Sequence, residues 1–216
     1  GLTMLDTLKK IKSGEILQYP FTIVPGWSIK DIATFLSKEP FVDSPAVSDE
    51  FLKLVQEPEF VAKLGFTDTG SLEGYLFPDT YFITKPFHLN DFVGRLVSHF
   101  NEVWNSLDVE SVKATQLSKK DIVSLASIVE KETGNESERP LIASVFFNRL
   151  KKGMLLQSDP TIVYGLPNFD GDIKKSDILN PHPYNTYVHS GIPPGPICNP
   201  SKASIEAVLH PAETGY

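Results

Sequence analysis

Ser118-Lys119-Lys120-Asp121-Ile122-Val123-Ser124-Leu125-Ala126-Ser127-Ile128-Val129-Glu130-Lys131-Glu132-Thr133-Gly134 is the stretch from which the rest of the chain can be read. Apolar side chains recur at Ile122, Leu125, Ala126, Ile128 and Val129, the spacing of one helical face. Ser118 with Asp121 three residues on makes a capping box, Asp standing where Glu is usual. Gly134 fits the C′ position that ends a helix. At about 100° per residue, Glu132 falls in line with the apolar stripe, while Glu130 and Lys131 point to the flanks and solvent. A core-facing glutamate loses hydration, and in the last turn it also meets the negative end of the helix dipole. Both effects favour the neutral acid. A carboxylic acid kept protonated near neutral pH is a proton donor suited to a glycosidic oxygen. A plainer reading stays open, in which Glu132 pairs with a buried arginine such as Arg139 or Arg149.

Downstream, a second helix is expected over Ser137 to Lys152, with Pro140 in its first turn and Gly153 closing it. Asn148 shares the stripe of Leu141 and Val145, so a second polar group is expected to face inward, as a candidate ligand or as a partner for a backbone carbonyl. Gln157 and Ser158 are candidates for bonding sugar hydroxyls or an acetamido group. Equally, they belong to a turn capped by Asp159 ahead of Pro160. Tyr184-Asn185-Thr186-Tyr187 offers stacking faces and amide donors, which ordinary packing also uses. Gly191-Ile192-Pro193-Pro194-Gly195-Pro196-Ile197 is a rigid shaping loop. Beyond the second helix the chain reads as a loop- and proline-rich tail, suited to a groove wall.

Upstream, a short helix over Leu5 to Ile11 leads through Gly14 to the extended stretch Tyr19-Pro20-Phe21-Thr22-Ile23-Val24. Pro25-Gly26 signals a turn, and Ser28 is an N-cap for a helix carrying Ile29, Ile32, Ala33 and Leu36 on one face. Pro40 and Pro45 suggest a boundary. A helix is expected from Glu50 to Leu64, then loop and strand over residues 70–83, then an amphipathic helix from Asn90 to Leu107 with Phe92, Leu96, His99, Phe100 and Val103 on its stripe. The fold class is α+β, divided as 1–41, 42–117 and 118–216.

With 216 residues, 41% hydrophobic and 22% charged, the chain can bury a real core. A net charge of −7 with scattered lysines argues against nucleic acid. Lys119-Lys120 and Lys174-Lys175 read as solvated faces. Cys198 is the single cysteine, so no intrachain disulfide forms, and it reads as a bland thiol. The five histidines lack metal-site spacing, and there is neither a phosphate loop nor a nucleophile elbow, so no metal or cofactor is expected. No apolar run approaches the roughly 20 residues of a membrane span. The opening Gly1-Leu2-Thr3 is not initiator-like, and a targeting segment is expected upstream.

Leu125 to Thr133, Glu138-Arg139, Ala143-Ser144-Val145-Phe146, Asn148-Arg149-Leu150, Gly153-Met154, Leu156-Gln157 and Asp159-Pro160-Thr161 through Tyr164-Gly165 closely resemble the endolytic murein transglycosylase (MltG/YceG) family. So do Glu73-Gly74-Tyr75-Leu76-Phe77-Pro78-Asp79-Thr80-Tyr81, Tyr184 to Tyr187, Gly191 to Ile197 and His210-Pro211-Ala212, nearly collinear across the chain.

The resemblance implies a lysozyme-like catalytic helix whose Glu-Thr pair, here Glu132-Thr133, supplies the acid/base. Asn148, Gln157, Ser158, Tyr184, Asn185 and Glu73 follow as substrate-binding candidates. It also implies a LysM-like glycan-binding unit in the first 41 residues, around Thr22 to Leu36, and a catalytic region over 118–216 whose C-terminal segment continues past Tyr216. The implied reaction cuts the bond from N-acetylmuramic acid to N-acetylglucosamine in nascent glycan strands, leaving 1,6-anhydro ends and ending elongation. Peptidoglycan strands are the implied substrate and envelope synthases the implied partners. An N-terminal membrane helix absent from this chain would hold the enzyme outside the cytoplasmic membrane. Rival readings are a non-catalytic glycan-binding module, a hydrolase, and a pyridoxal-phosphate lyase. The last lacks any visible Schiff-base lysine or phosphate cup.

Overall fold

The structure, a computed structural model, describes Thr3, Met4, Lys12, residues 16–167 and residues 169–215; the helix expected over Leu5–Ile11 lies outside them. The described residues are mostly helical, with one small sheet. Strand β1 (Tyr19–Thr22) pairs antiparallel with β2 (Thr80–Ile83), setting Phe21 opposite Tyr81. Alternation sends Phe21, Tyr81 and Ile83 into the core and leaves Pro20 and Phe82 outside. Pro20 is tolerated because β1 is an edge strand. This pairing crosses the boundary expected at 41/42, and a continuous core runs from Phe21 to Leu209.

Helix α1 (Ile29–Leu36) forms as its sequence predicts. Ser28 and Asp31 complete a capping box, and Ile29, Ile32, Ala33 and Leu36 are buried. The single helix expected over Glu50–Leu64 is instead α2 (Val47–Leu54) and α3 (Pro58–Lys63). Pro58 has no N–H to continue α2 and takes the first turn of α3, where none is needed. Helix α4 (Leu89–Asn105) buries Phe92, Val93, Leu96, Val97 and Phe100, and α5 (Val109–Ala114) follows without having been expected. Lys119 is not on a solvated face: its Nζ sits over the rings of Phe66, Phe100 and Trp104, 4.8–5.2 Å from their centroids.

Helix α6 (Lys119–Glu132) opens on the expected Ser118–Asp121 capping box. Its apolar positions do not form a stripe, however. All eight residues from Ile122 to Val129 are buried, so the helix is enclosed on every side. It ends because Thr133 turns extended (φ −146°, ψ 138°), rather than through a left-handed Gly134. The second helix is shorter than expected: a 3-10 turn (Glu136–Glu138), then α7 (Arg139–Lys151), closed by Gly153 at φ 66°. The tail expected to be loops carries α8 (Asp159–Gly165), α9 (Lys175–Ile178) and α10 (Lys202–Leu209). Helices α7, α8 and α10 pack on α6, and α10 packs on α7 as well.

Two knots hold these layers together. Asn199 is fully buried: its Oδ1 accepts from Leu76 N (2.9 Å), its N and Nδ2 both donate to Trp27 O (2.8 and 2.9 Å), and its carbonyl accepts from Gly26 N (2.9 Å). The second knot is Glu130, which the helical wheel sends toward solvent but which α10 covers, leaving its side chain 5% exposed. Its carboxylate accepts from Arg139 Nη2 (3.0 Å), Ser201 N (2.8 Å), Ser201 Oγ (2.5 Å) and Ser204 Oγ (2.7 Å). The buried arginine weighed as a partner for Glu132 therefore belongs to Glu130.

Glu130→Ala leaves Arg139 buried without its anion, and urea unfolding is expected to show a loss of about 3–5 kcal/mol. A loss under about 1 kcal/mol would mean that this knot does not hold α6, α7 and α10 together.

Candidate active site

Glu132 ends α6 and is exposed, which corrects the core-facing placement expected from the wheel. The physical reason is that a helix buried all round has no single core side, so its last turn emerges from the core with whichever residue comes next. Glu130 meets α10, and Glu132 meets the chain between α7 and α8. There Ser158 Oγ donates to Glu132 Oε1 at 2.5 Å. Beyond Glu132, Thr133 Oγ1 donates to Glu138 Oε2 (2.8 Å) and accepts from Asn135 N (3.0 Å), fastening the loop that leaves the site.

Ser158 is held from behind. It is 1% exposed, and its N–H donates to Thr186 Oγ1 (3.0 Å). Thr161 Oγ1 donates to Ser158 O (2.6 Å) and lies 2.9 Å from Thr186 Oγ1, while Thr186 N returns a bond to Thr161 Oγ1 (3.2 Å). Gln157 takes a left-handed φ of 51° to bring Ser158 in, with its N donating to Thr186 O (3.1 Å). A non-glycine residue there is strained, by on the order of 1 kcal/mol. Its side chain is exposed beside the site. Asp159, expected as a turn cap, is instead the first residue of α8, Ser158 holding the N-cap position. Asp159 Oδ1 accepts from Tyr187 Oη at 2.6 Å. That bond, with partial burial and the charges of Asp159 and Glu132, pushes the Tyr187 phenol up to about 12. Glu132, Ser158, Asp159 and Tyr187 thus form one polar cluster on a rigid base.

The remaining candidates lie elsewhere. Asn148 Nδ2 donates to Thr214 O (3.0 Å), so it ties the C-terminal segment to α7; the stripe it shares with Leu141 and Val145 is not the buried one. Asn185 is 1% exposed and donates to the carbonyls of Ile178 (3.0 Å) and Asn180 (2.7 Å), bracing α9 rather than facing a ligand. Tyr184 packs on Tyr164 with ring centroids 4.8 Å apart, and burial raises its phenol.

Glu73 is also enclosed, at 1% exposure, where a direct ligand contact was expected. Both its oxygens accept from Ile29 N at the start of α1 (3.1 and 3.2 Å), and Oε2 accepts from Tyr164 Oη (3.3 Å). Gly74 follows at φ 86°, and a Cβ there would meet Pro196 at 2.5 Å, which is how the 70–78 loop gets so deep. Burial pushes the Glu73 carboxyl up to about 8, against the lowering effect of the Ile29 and Tyr164 hydrogen bonds. Thr161, Thr186, Asp159 and Tyr187 were not singled out as site residues, although each falls in a quoted motif. Among the described residues, no group of three or more His, Cys, Asp or Glu side chains is placed to hold a metal ion, and no helix is long and apolar enough to cross a membrane.

A sequence model described as the YceG-like family matches residues 1–216. An endolytic murein transglycosylase of Bacillus subtilis (strain 168) is 36% identical over 189 residues, covering 86% of this chain and 48% of the relative. One of Streptococcus pneumoniae (strain ATCC BAA-255 / R6) is 30% identical, covering 95% of this chain and 42% of the relative. The chain therefore spans about half the length of these relatives. A crystal structure of a YceG-like protein from Listeria monocytogenes superposes with a TM-score of 0.84 at 30% identity, covering 100% of this chain and 75% of that one.

Because the Glu73 pKa is raised from 4.5 to about 8, the folded chain holds a proton there that the unfolded chain has lost. Stability from this group is flat below pH 4.5, falls as pH rises to about 8, and is flat above. Within that window the slope approaches about 1.4 kcal/mol per pH unit. Urea unfolding across pH should show Glu73→Gln lacking this component of the slope; parallel curves for the two proteins would contradict it.

Proposed function

The chain belongs to the YceG-like family, and on that premise we propose that it cuts peptidoglycan glycan strands by lytic transglycosylation, with Glu132 as the acid/base. The observation that carries this reading is the Ser158–Glu132 hydrogen bond. It holds one reachable carboxylate at a helix end, on a base of buried threonines. The relatives' names supply the substrate class.

In the proposed reaction, the acid form of Glu132 donates its proton to the oxygen joining C1 of N-acetylmuramic acid to N-acetylglucosamine, and the C1–O bond breaks. Positive charge develops at C1. The carboxylate left behind takes the proton of the muramoyl 6-hydroxyl, whose oxygen closes onto C1. The products are a free 4-hydroxyl and a 1,6-anhydro ring, no water is consumed, and Glu132 ends protonated as it began. One carboxylate serves both steps because the nucleophile belongs to the substrate. Ser158 directs the carboxylate, and a strand laid over the exposed side chain would exclude water from it. Gln157, exposed next to Ser158, is placed to meet the strand.

The first 41 residues, with β1 and α1, are read as the LysM-like unit, which would hold the strand while the end of α6 cuts it. Action would lie outside the cytoplasmic membrane, through an anchor upstream of this chain and alongside envelope synthases. A second reading, hydrolysis, is favoured by one observation: Asp159, next to Ser158, adds a second carboxylate beside Glu132. Two carboxylates and a water would leave reducing ends.

Mass spectrometry of peptidoglycan treated with wild type and with Glu132→Gln separates these readings. Anhydromuramoyl ends from the wild type and almost none from the variant are expected. Reducing ends would mean hydrolysis, equal cutting by both would remove Glu132 from the mechanism, and no cutting by either would favour a binding module. Ser158→Ala should lower kcat by roughly 10–100-fold with KM little changed, the pattern of a positioning group; a change in KM alone would assign Ser158 to strand binding.

A further inference from the structure

A cleft of about 520 Å³ opens beside Glu132 without including it. Its edge is made by the two residues that flank the site in sequence, Lys131 before Glu132 and Asp159 after Ser158. Its far side is the turn that starts α1, including Lys30. Pro160, Val163, Leu166 and Ile197 give it an apolar wall. Volumes of this order suit a small ligand or a short branch of a larger one.

The polar groups of this cleft divide sharply. Ser28 Oγ donates to Asp31 Oδ2 (2.8 Å), Asp159 accepts from Tyr187, and Tyr164 Oη is given to Glu73. The hydroxyls are thus engaged within the protein, and Asp31 and Asp159 each have one oxygen bonded there. The two lysines are not engaged in this way: among the described residues neither forms an ion pair, and Lys131 Nζ has only a long contact to Gly26 O (3.5 Å). The lining offers no free amide or hydroxyl side chain to a sugar ring. An apolar wall with two unpaired ammonium groups at its rim suits a short aliphatic chain bearing carboxylates.

We propose that this cleft takes the carboxylate-bearing peptide branch of the muramoyl residue being cut, with Lys30 and Lys131 as its specificity determinants. This rests on the reading of the chain as a glycan-strand cutter. The branch leaves the strand at the muramoyl unit, whose C1 would lie at Glu132, so it leaves the strand close to this cleft. Stripped strands still carry an anion, the lactyl carboxylate, but lack the aliphatic chain for the wall. The two sources of negative charge are thus separable.

The test measures binding in the Glu132→Gln background, so affinity is read apart from cutting. Soluble strands bearing peptides are compared with the same strands after an amidase has removed the peptides. Peptide-bearing strands should bind roughly tenfold tighter, and adding Lys30→Ala and Lys131→Ala should abolish the difference. Equal affinity for the two strands overturns the proposal. So does an equal weakening of both by the lysine changes, which would assign the lysines to the lactyl carboxylate. Wild-type cutting, assayed in parallel, tests the functional reading separately: a peptide-dependent affinity without new chain ends would sink the reaction and leave the cleft, and binding of neither strand would overturn both.

Discussion

A helix enclosed on every side needs partners on every side, and α6 draws them from the whole chain. Helix α7 and the start of α8 come from the chain that follows it, and α10 from near its end. The 70–78 loop arrives from upstream, with Gly74 pressed against Pro196 and Val123. The loop at 196–199 is pinned to α6 itself, Ile197 N donating to Ser127 Oγ (3.0 Å) and Cys198 Sγ to Ser127 O (3.3 Å). Cys198 is inert in that position, burial holding its thiol well above its ordinary value. The two serines inside the helix, Ser124 and Ser127, satisfy themselves on helix carbonyls at 2.7 Å, so no polar group interrupts the packing.

From this enclosure comes the difference between Glu130 and Glu132. Two residues apart on one helix, they diverge by some 200°, and both leave the apolar run at its end. One meets α10 and becomes a structural ion, saturated by an arginine and two serines. The other emerges where the chain turns back into α8 and finds a single hydroxyl. The saturated carboxylate fixes the end of the helix, and the sparsely bonded one keeps lone pairs for other chemistry. Behind them, Thr161 and Thr186 lock Ser158 with short bonds at no side-chain charge, which keeps the supporting layer insensitive to pH.

Much of this was legible in the sequence, and the failures have physical causes. The caps at Ser28 and Ser118 and the buried face of α1 were readable because they depend on contacts within three or four residues. The α2–α3 break was visible in Pro58, yet apolar periodicity on both sides masked it. Residues 202–209 were hidden by a proline-rich approach, although Ser201 is an N-cap by sequence. The wheel reading of Glu132 failed because periodicity assumes one apolar face, and α6 has none. Asn185 and Glu73 are substrate-binding candidates because polar residues near a motif invite that reading, and Asn148 takes the second of its two alternatives, a backbone carbonyl. Whether such a group faces a ligand or a carbonyl is set by chain segments as distant as Thr214, beyond any local pattern. The site cluster lay within quoted motifs, but the pairing of Ser158 with Glu132 and of Asp159 with Tyr187 is tertiary.

The Asn199 clasp joins residues 172 positions apart at Trp27 and 123 apart at Leu76. Equilibrium closure of so long a loop is not prohibitive, since each doubling of length adds only about 0.6 kcal/mol. The consequence lies in order of events. A chain made from its N-terminus presents β1, α1 and the 70–78 loop long before their clasp exists, and α6 waits for α10. Contacts so distant in sequence form late, and β1, α1 and the 70–78 loop pass through synthesis before the segments that cover them exist. Vectorial emergence leaves this fold open until α10 is out.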